Sequence, residues 1–418
     1  MIVLDGVDGQ VLAHATPALM RDWALPRSAF ATVAAAAPFG MMIGGILGGL
    51  LGDRFGRRAA LVGSGLTFGV LTLFAALADS LPALGVLRFF AGIGLGGAMP
   101  NAAAIVAEYV PRRHRPVAIT ATIVCIPLGG FLGGLLAGQL VPAYGWRMLF
   151  VVGGLFPILL AASLLRLLPE SPRFLASRPH LWPELRATLR RIGQPVDDAA
   201  EFAEAGSPAN ARAAGGVSDL LAPALRRDTL SLMTAFASCL LAIWTGFLWI
   251  PAMLTDPVAG FSQADASYAL SLFNFGGIAG ALLGAFAIQR FGSRAALTAM
   301  AMATAAAAAV MAATPLEAAA RVGAFAAFTL TGALMNAVQT TMYALAAHVY
   351  PTAIRGTGVG ATVAVGRAGN VSASYVGSWA LSAGGPALFF GVWAAAMLVV
   401  SGALAAITRH IPPSETRR

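Results

Sequence analysis

Lysine is absent from this chain of 418 residues: all 27 basic residues are arginine. A Walker phosphate loop needs a lysine on the nucleotide phosphates, so the chain drives nothing by an ATPase of its own. A Schiff-base cofactor is excluded on the same ground, since it needs a lysine amine. Charge of either sign is scarce, at 11% against roughly 25% in soluble proteins. The two cysteines, Cys125 and Cys239, both sit in apolar runs, leaving no disulfide framework and no thiolate metal site. No His-Glu-x-x-His, Gly-x-Ser-x-Gly or His/Asp cluster stands inside an apolar run, so a membrane-embedded enzyme has no motif to support it. What is abundant is hydrophobicity: 58% of residues, with a mean hydropathy of +0.77. Such a chain cannot cover itself with polar surface and reads as a polytopic membrane protein. The net charge of +9 could suit nucleic acid, but the arginines stand at the ends of apolar segments. There they act as a topology signal, and no nucleic-acid partner is expected.

Crossing a hydrocarbon core takes about 20 apolar helical residues. Such runs fall near 2–20, 29–51, 59–78, 83–108, 117–141 and 147–168, and again near 230–254, 266–288, 295–313, 320–347, 356–382 and 386–407. The expected fold is an all-α membrane protein of twelve transmembrane helices in two six-helix bundles. Residues 1–168 form the first bundle and 229–408 the second, with a linker at 169–228 and a tail at 409–418. Short amphipathic helices are expected in the linker at 180–192 and 217–227, and Pro195, Pro208, Gly215 and Gly216 mark a tether between them.

The even-numbered connections and the C-terminus carry Arg54, Arg57, Arg58, Arg112, Arg113, Arg115, Arg290, Arg294, Arg355, Arg409, Arg417 and Arg418; the odd ones carry Arg21, Arg27, Arg147 and Arg321. That imbalance predicts an inner or plasma membrane protein with both termini in the cytoplasm. The halves also repeat. RFGRRAAL (Arg54 to Leu61) returns as RFGSRAAL (Arg290 to Leu297), and Pro111 with Arg115 returns as Pro351 with Arg355. Parallel repeats joined by a long loop are the trace of a two-bundle transporter with its substrate site between the halves.

Charges inside spans are few and therefore informative. Asp5 and Asp8, at i and i+3, lie roughly 60° apart around a helix and share a face that must avoid lipid. A carboxylate pair this close can hold a proton near neutral pH. Arg367 lies 12 residues past Arg355, or about 18 Å into span eleven. A fixed guanidinium there binds a carboxylate bidentately or pairs with Asp5 or Asp8. Arg88 in span four must be paired or proton-linked. His14, well around the helix from the aspartates, reads as a packed or pore-lining polar group without a role. Glycines at 129, 130, 133, 134 and 138 form a small-residue packing face on span five.

The run Gly49-Leu-Leu-Gly-Asp53-Arg54-Phe-Gly56-Arg57-Arg58 resembles the signature of the major facilitator superfamily, where it braces a gate and does not touch substrate. Arg88-x-x-x-Gly92-x-Gly94-x-Gly96-Gly97 resembles that superfamily's second signature. Glu108, Arg115 and Arg355, at the ends of spans four and ten, are then expected to form charge pairs with the brace. The likeness narrows at Asp5-Gly-Val-Asp8, GGAMPNAA (Gly96 to Ala103) leading into Glu108-Tyr109, Gly145-Trp146-Arg147, LPESPRFL (Leu168 to Leu175), Trp249-Ile-Pro251 and GRAG around Arg367. These are similar to the aromatic acid:proton symporter family over essentially the whole chain.

The resemblance implies a proton-coupled importer of an aromatic carboxylate working by alternating access. It needs no cofactor and no metal, is driven by the proton gradient, and is monomeric in the lipid bilayer. Asp5 and Asp8 carry or sense the proton, and Arg367 holds the carboxylate. Trp244, Trp249, Phe273, Tyr343 and Tyr375 are candidates to flank the ring. A carrier for another organic anion, sugar or drug is the alternative, and sugar porters resemble the chain at Pro169 to Arg173. Two departures stand out. Val7 replaces the family's usual aromatic residue, and only four residues precede Asp5, where the family has more of an apolar leader. The first helix is therefore expected to continue upstream of Met1.

Overall fold

The apolar runs form helices that are hydrophobic on nearly every side, as helices facing lipid or a membrane-protein interior must be. Large apolar side chains such as Ile46, Leu50, Leu77, Phe286 and Val310 stand exposed on the outside, whereas Asp5, Asp8, Gln10, Arg88, Asn101 and Asn274 are buried. This computed structural model describes residues 1–111, 114–191, 193–194, 196–197, 201–202, 217–351 and 354–413. The side chains of 115–117, 119, 120, 123, 217 and 218 fall outside that description. So do Arg112, Arg113, Arg417, Arg418, Pro195, Pro208, Gly215 and Gly216 from the expectations above, along with the Arg115 side chain.

The first six spans are Ile2–Asp22, Arg27–Phe55, Arg57–Ala75, Leu81–Tyr109, Arg115–Tyr144 and Arg147–Leu167. Span seven is Pro223–Leu254 and span ten Arg321–Val349. Two long helices, Gln263–Ala313 and Arg355–Ala406, each break at a glycine with positive φ: Gly292 at 77° and Gly385 at 61°. The halves are spans eight and nine, and eleven and twelve. Among the described residues nine helices, each broken one counted once, are long and apolar enough to cross a membrane. Splitting the two broken ones and adding the charge-bearing span one gives twelve among the described residues.

Within the first half, span one packs on five and six, and span four on two and three. Across the halves, span one meets seven, span five meets Gln263–Ala313, and span two meets Arg355–Ala406. The linker holds a short helix at Pro172–Ala176 and one of ten residues at Trp182–Arg191, close to the expected one. The second expected amphipathic helix is instead one 3-10 turn, Val217–Leu221, because Pro223 already starts span seven. The expected tail begins inside the fold: residues 408–411 hydrogen-bond to the second half.

Candidate functional site

The glycine of Asp5-Gly-Val-Asp8 decides how span one is seated. A Cβ on Gly6 would stand 2.0 Å from the Ile126 carbonyl oxygen, so only glycine lets spans one and five touch backbone to backbone. With that face against span five, the two aspartates part company. Asp8 is fully buried toward spans three and four. Arg88 grips it with Nη1 to Oδ1 at 3.2 Å and Nη2 to Oδ2 at 3.0 Å, and reaches the Asp8 carbonyl at 3.1 Å. The Thr72 hydroxyl donates to Oδ1 at 2.7 Å, and the guanidinium lies 5.9 Å from the centre of the Phe150 ring. Arg88 is thus structurally paired, and the expected coupled pair of carboxylates is divided.

Asp5 instead lines a cavity of about 270 Å³ between the halves. Arg367 of the second half also lines it, its Nη1 donating across to the Met41 carbonyl of span two at 2.7 Å. Among the described residues Arg367 forms no ion pair with either aspartate. The walls are Met41, Leu95, Met99, Ile126 and Pro127 from the first half, and Leu240, Phe247 and Val363 from the second. Of the expected aromatics, Trp244 and Tyr343 line the cavity. Phe273 and Trp249 do not: Phe273 is buried one layer behind, edge-on to Phe247 at 5.7 Å and tilted against Trp393 at 5.8 Å. Tyr375 is 48% exposed and away from the cavity.

The sequence reading missed the cavity's uncharged polar groups. Asn336, Gln339 and Thr340 recur with the expected Tyr343 at i, i+3, i+4 and i+7 along span ten, and Asn370 follows Arg367 by one turn. That helical stripe inside an apolar run was a usable signal.

Among the described residues, hydrogen bonds join the halves at the midplane and toward the odd connections, besides the one from Arg367 to Met41. Gln10 and Asn274 exchange amide bonds at 3.0 and 2.9 Å. The Ser271 hydroxyl donates to the Phe131 carbonyl at 2.7 Å, and Gln263 to that of His14 at 2.9 Å. Arg27 bonds the Ala252 carbonyl and pairs with Asp256 at 3.2 Å. The described structure is therefore fastened on the odd side, and its cavity lies on the even side of the fastening.

On the even face, Asp53 pairs with Arg57, and Arg57 donates to the Asn101 side chain at 3.3 Å. Gly56 turns with φ 103° beside the Glu170 carboxylate, which accepts the Arg58 N–H at 2.9 Å at the start of span three. The Arg58 side chain bonds the Leu165 carbonyl, and the Arg54 carbonyl accepts from Arg178. Gly49 faces open space. Glu108 lines the same polar pocket as Asp53 and Arg57, and its carboxylate takes the Ser171 hydroxyl and the Arg173 N–H. Arg355 donates through Nε to the Tyr350 carbonyl at 3.4 Å.

Residues 1–316 match the family described as the Major Facilitator Superfamily. A 4-hydroxybenzoate transporter of Pseudomonas putida is 33% identical over 390 residues, covering 92% of this chain and 85% of that protein. A gallate transporter of the same species is 34% identical over 385 residues, covering 92% and 84%. The crystal structure of a D-xylose-proton symporter superposes with a TM-score of 0.76 at 19% identity, over 99% of this chain and 96% of that one. At that identity the likeness is one of fold. The family and these relatives are transporters, so the chain is a multi-pass membrane carrier and not an enzyme. It belongs to the major facilitator superfamily and resembles that superfamily's aromatic acid:proton symporters.

Proposed function

We propose that the carrier imports an aromatic carboxylate of the benzoate or hydroxybenzoate kind together with protons, by alternating access of the bundles 1–168 and 229–408. The observation that carries the reading is that Arg367 and Asp5 line one cavity of about 270 Å³. Ligand pockets generally run from about 300 to 1,000 Å³, so this one suits a single-ring acid better than a large drug. Arg367 holds the substrate carboxylate by charge-assisted bonds, and Trp244, Tyr343 and Phe247 flank the ring.

Coupling follows from charge. Substrate anion and ionised Asp5 would place two carboxylates beside one guanidinium in a small apolar space. A proton on Asp5 removes that repulsion, so acid and proton enter together. Asp8, already neutralised by Arg88, steadies span one. The arginine asymmetry supports an inner-membrane protein with the even face in the cytoplasm, and the fastened odd side then makes this the inward-facing arrangement. The carrier works as a monomer with no cofactor beyond the proton gradient.

The test is uptake of labelled 4-hydroxybenzoate, benzoate, an aliphatic acid and xylose into proteoliposomes with an imposed inward proton gradient. Accumulation of the aromatic acids above the others supports the proposal. Accumulation of xylose, or of every acid alike, overturns the substrate class.

A further inference from the structure

The repeated loops RFGRRAAL and RFGSRAAL are each held from outside by the chain that follows the sixth helix of their own half. In the first half Glu170 does this at Gly56 and Arg58, while its carbonyl accepts the Tyr109 hydroxyl at 2.7 Å. In the second half residues 408–413 take that place. Gly292, with φ 77°, turns against Pro413 and the Ile411 carbonyl. The Ser293 N–H donates to that carbonyl at 2.9 Å, and the Ile411 N–H returns a bond to Ser293 Oγ at 2.8 Å. His410 Nδ1 stands 3.1 Å from the same hydroxyl. Thr408 gives its N–H and hydroxyl to the buried Asp228 carboxylate of span seven, at 2.7 and 2.8 Å. Arg409 reaches the Ala224 and Val349 carbonyls at 3.4 and 3.5 Å. One short strap thus ties together the starts of spans seven and nine and the end of span ten.

We propose that residues 408–413 form a latch on the even face of the second half, and that protonation of His410 opens it. Ser293 Oγ accepts the Ile411 N–H through one lone pair, and either gives its own proton to His410 Nδ1 or accepts an N–H from it. Where Nδ1 is the acceptor, a protonated ring carries a donor there and takes that acceptor away. Where Nδ1 is already the donor, protonation instead places an N–H at Nε2, which is buried without a hydrogen-bond partner among the described residues. The groups facing the ring act in both directions. Arg294 of span nine opposes a positive charge, whereas Asp228 of span seven and the Leu404 and Ile407 carbonyls favour one. Burial is the largest influence and, with Arg294, holds His410 below its ordinary 6.5. The sign follows: a folded-state value below the free one means latch stability is complete above the ordinary value and is lost as pH falls through it.

The proposed function puts this face in the cytoplasm, where proton-coupled uptake delivers acid, so the latch reads a product of transport. Hydrogen exchange on the whole carrier in nanodiscs tests it without requiring transport, so its failure is distinct from failure of the import proposal. The Thr408 and Ile411 amides, corrected for intrinsic rates, should be protected at about pH 7.5 and lose protection about tenfold by about pH 5.5. In His410→Gln the protection should persist at both pH values, and in Ser293→Ala the Ile411 protection should be low at both. Low protection at the higher pH, or protection that does not change with pH in the native chain, overturns the latch. An equal loss in His410→Gln passes the titration to another group, Asp228 first, and overturns the role given to His410.

Discussion

Asp5 and Asp8 lie one helical turn apart on the same span, yet their surroundings make them different kinds of group. Asp8 is enclosed by Arg88 and Thr72 with its oxygens bonded, whereas Asp5 lines the cavity together with Arg367. The difference teaches that an intramembrane carboxylate is assigned by what it touches. A satisfied buried ion pair contributes to the shape of one bundle; a carboxylate left on a cavity wall is available to a proton.

The largest effect expected from this contrast is structural. Asp8→Ala strands Arg88 as an uncompensated buried charge, which costs about 3–5 kcal/mol. The measurement is the thermal midpoint and monodisperse yield of the purified carrier, with the double replacement Asp8→Leu/Arg88→Met recovering most of the loss. A wild-type midpoint in Asp8→Ala would erase the distinction between the two aspartates. Next comes Arg367→Ala, which removes the partner proposed for the substrate carboxylate. Charge-assisted bonds contribute about 1.5–3 kcal/mol, so acid binding by calorimetry should weaken between roughly tenfold and a hundredfold, with little change in thermal midpoint. Smallest is Tyr375→Ala, expected to alter acid binding by no more than about 0.5 kcal/mol, because Tyr375 stands outside the cavity. A Tyr375 effect larger than that of Trp244→Ala would relocate the site.

Much of this was legible in the chain because charge is so rare in it. Asp5, Asp8, Arg88 and Arg367 announce themselves inside apolar runs, and the repeated RFG loops announce the two halves. The rotation of each helix was not legible. Lipid is as apolar as the protein interior, so no hydrophobic face tells inside from outside, and Phe273, Trp249, Tyr343 and Tyr375 looked equivalent in sequence. The partners of Asp8 were hidden for a related reason: Thr72 is one hydroxyl among many, and it reaches the carboxylate only through the packing of span three beside span one. Glu170 and His410 gain their roles from contacts more than a hundred residues away, which no local pattern records.

In the proposed mechanism Asp5 is the coupling carboxylate. Proton entry and 4-hydroxybenzoate uptake, recorded together in the same proteoliposomes for the native chain and Asp5→Asn, test this directly. The native chain should accumulate the acid only with an inward proton gradient and should admit protons as it does so. Asp5→Asn should still exchange acid across the membrane but neither accumulate it nor admit protons. Gradient-driven accumulation by Asp5→Asn at the native level would contradict the account.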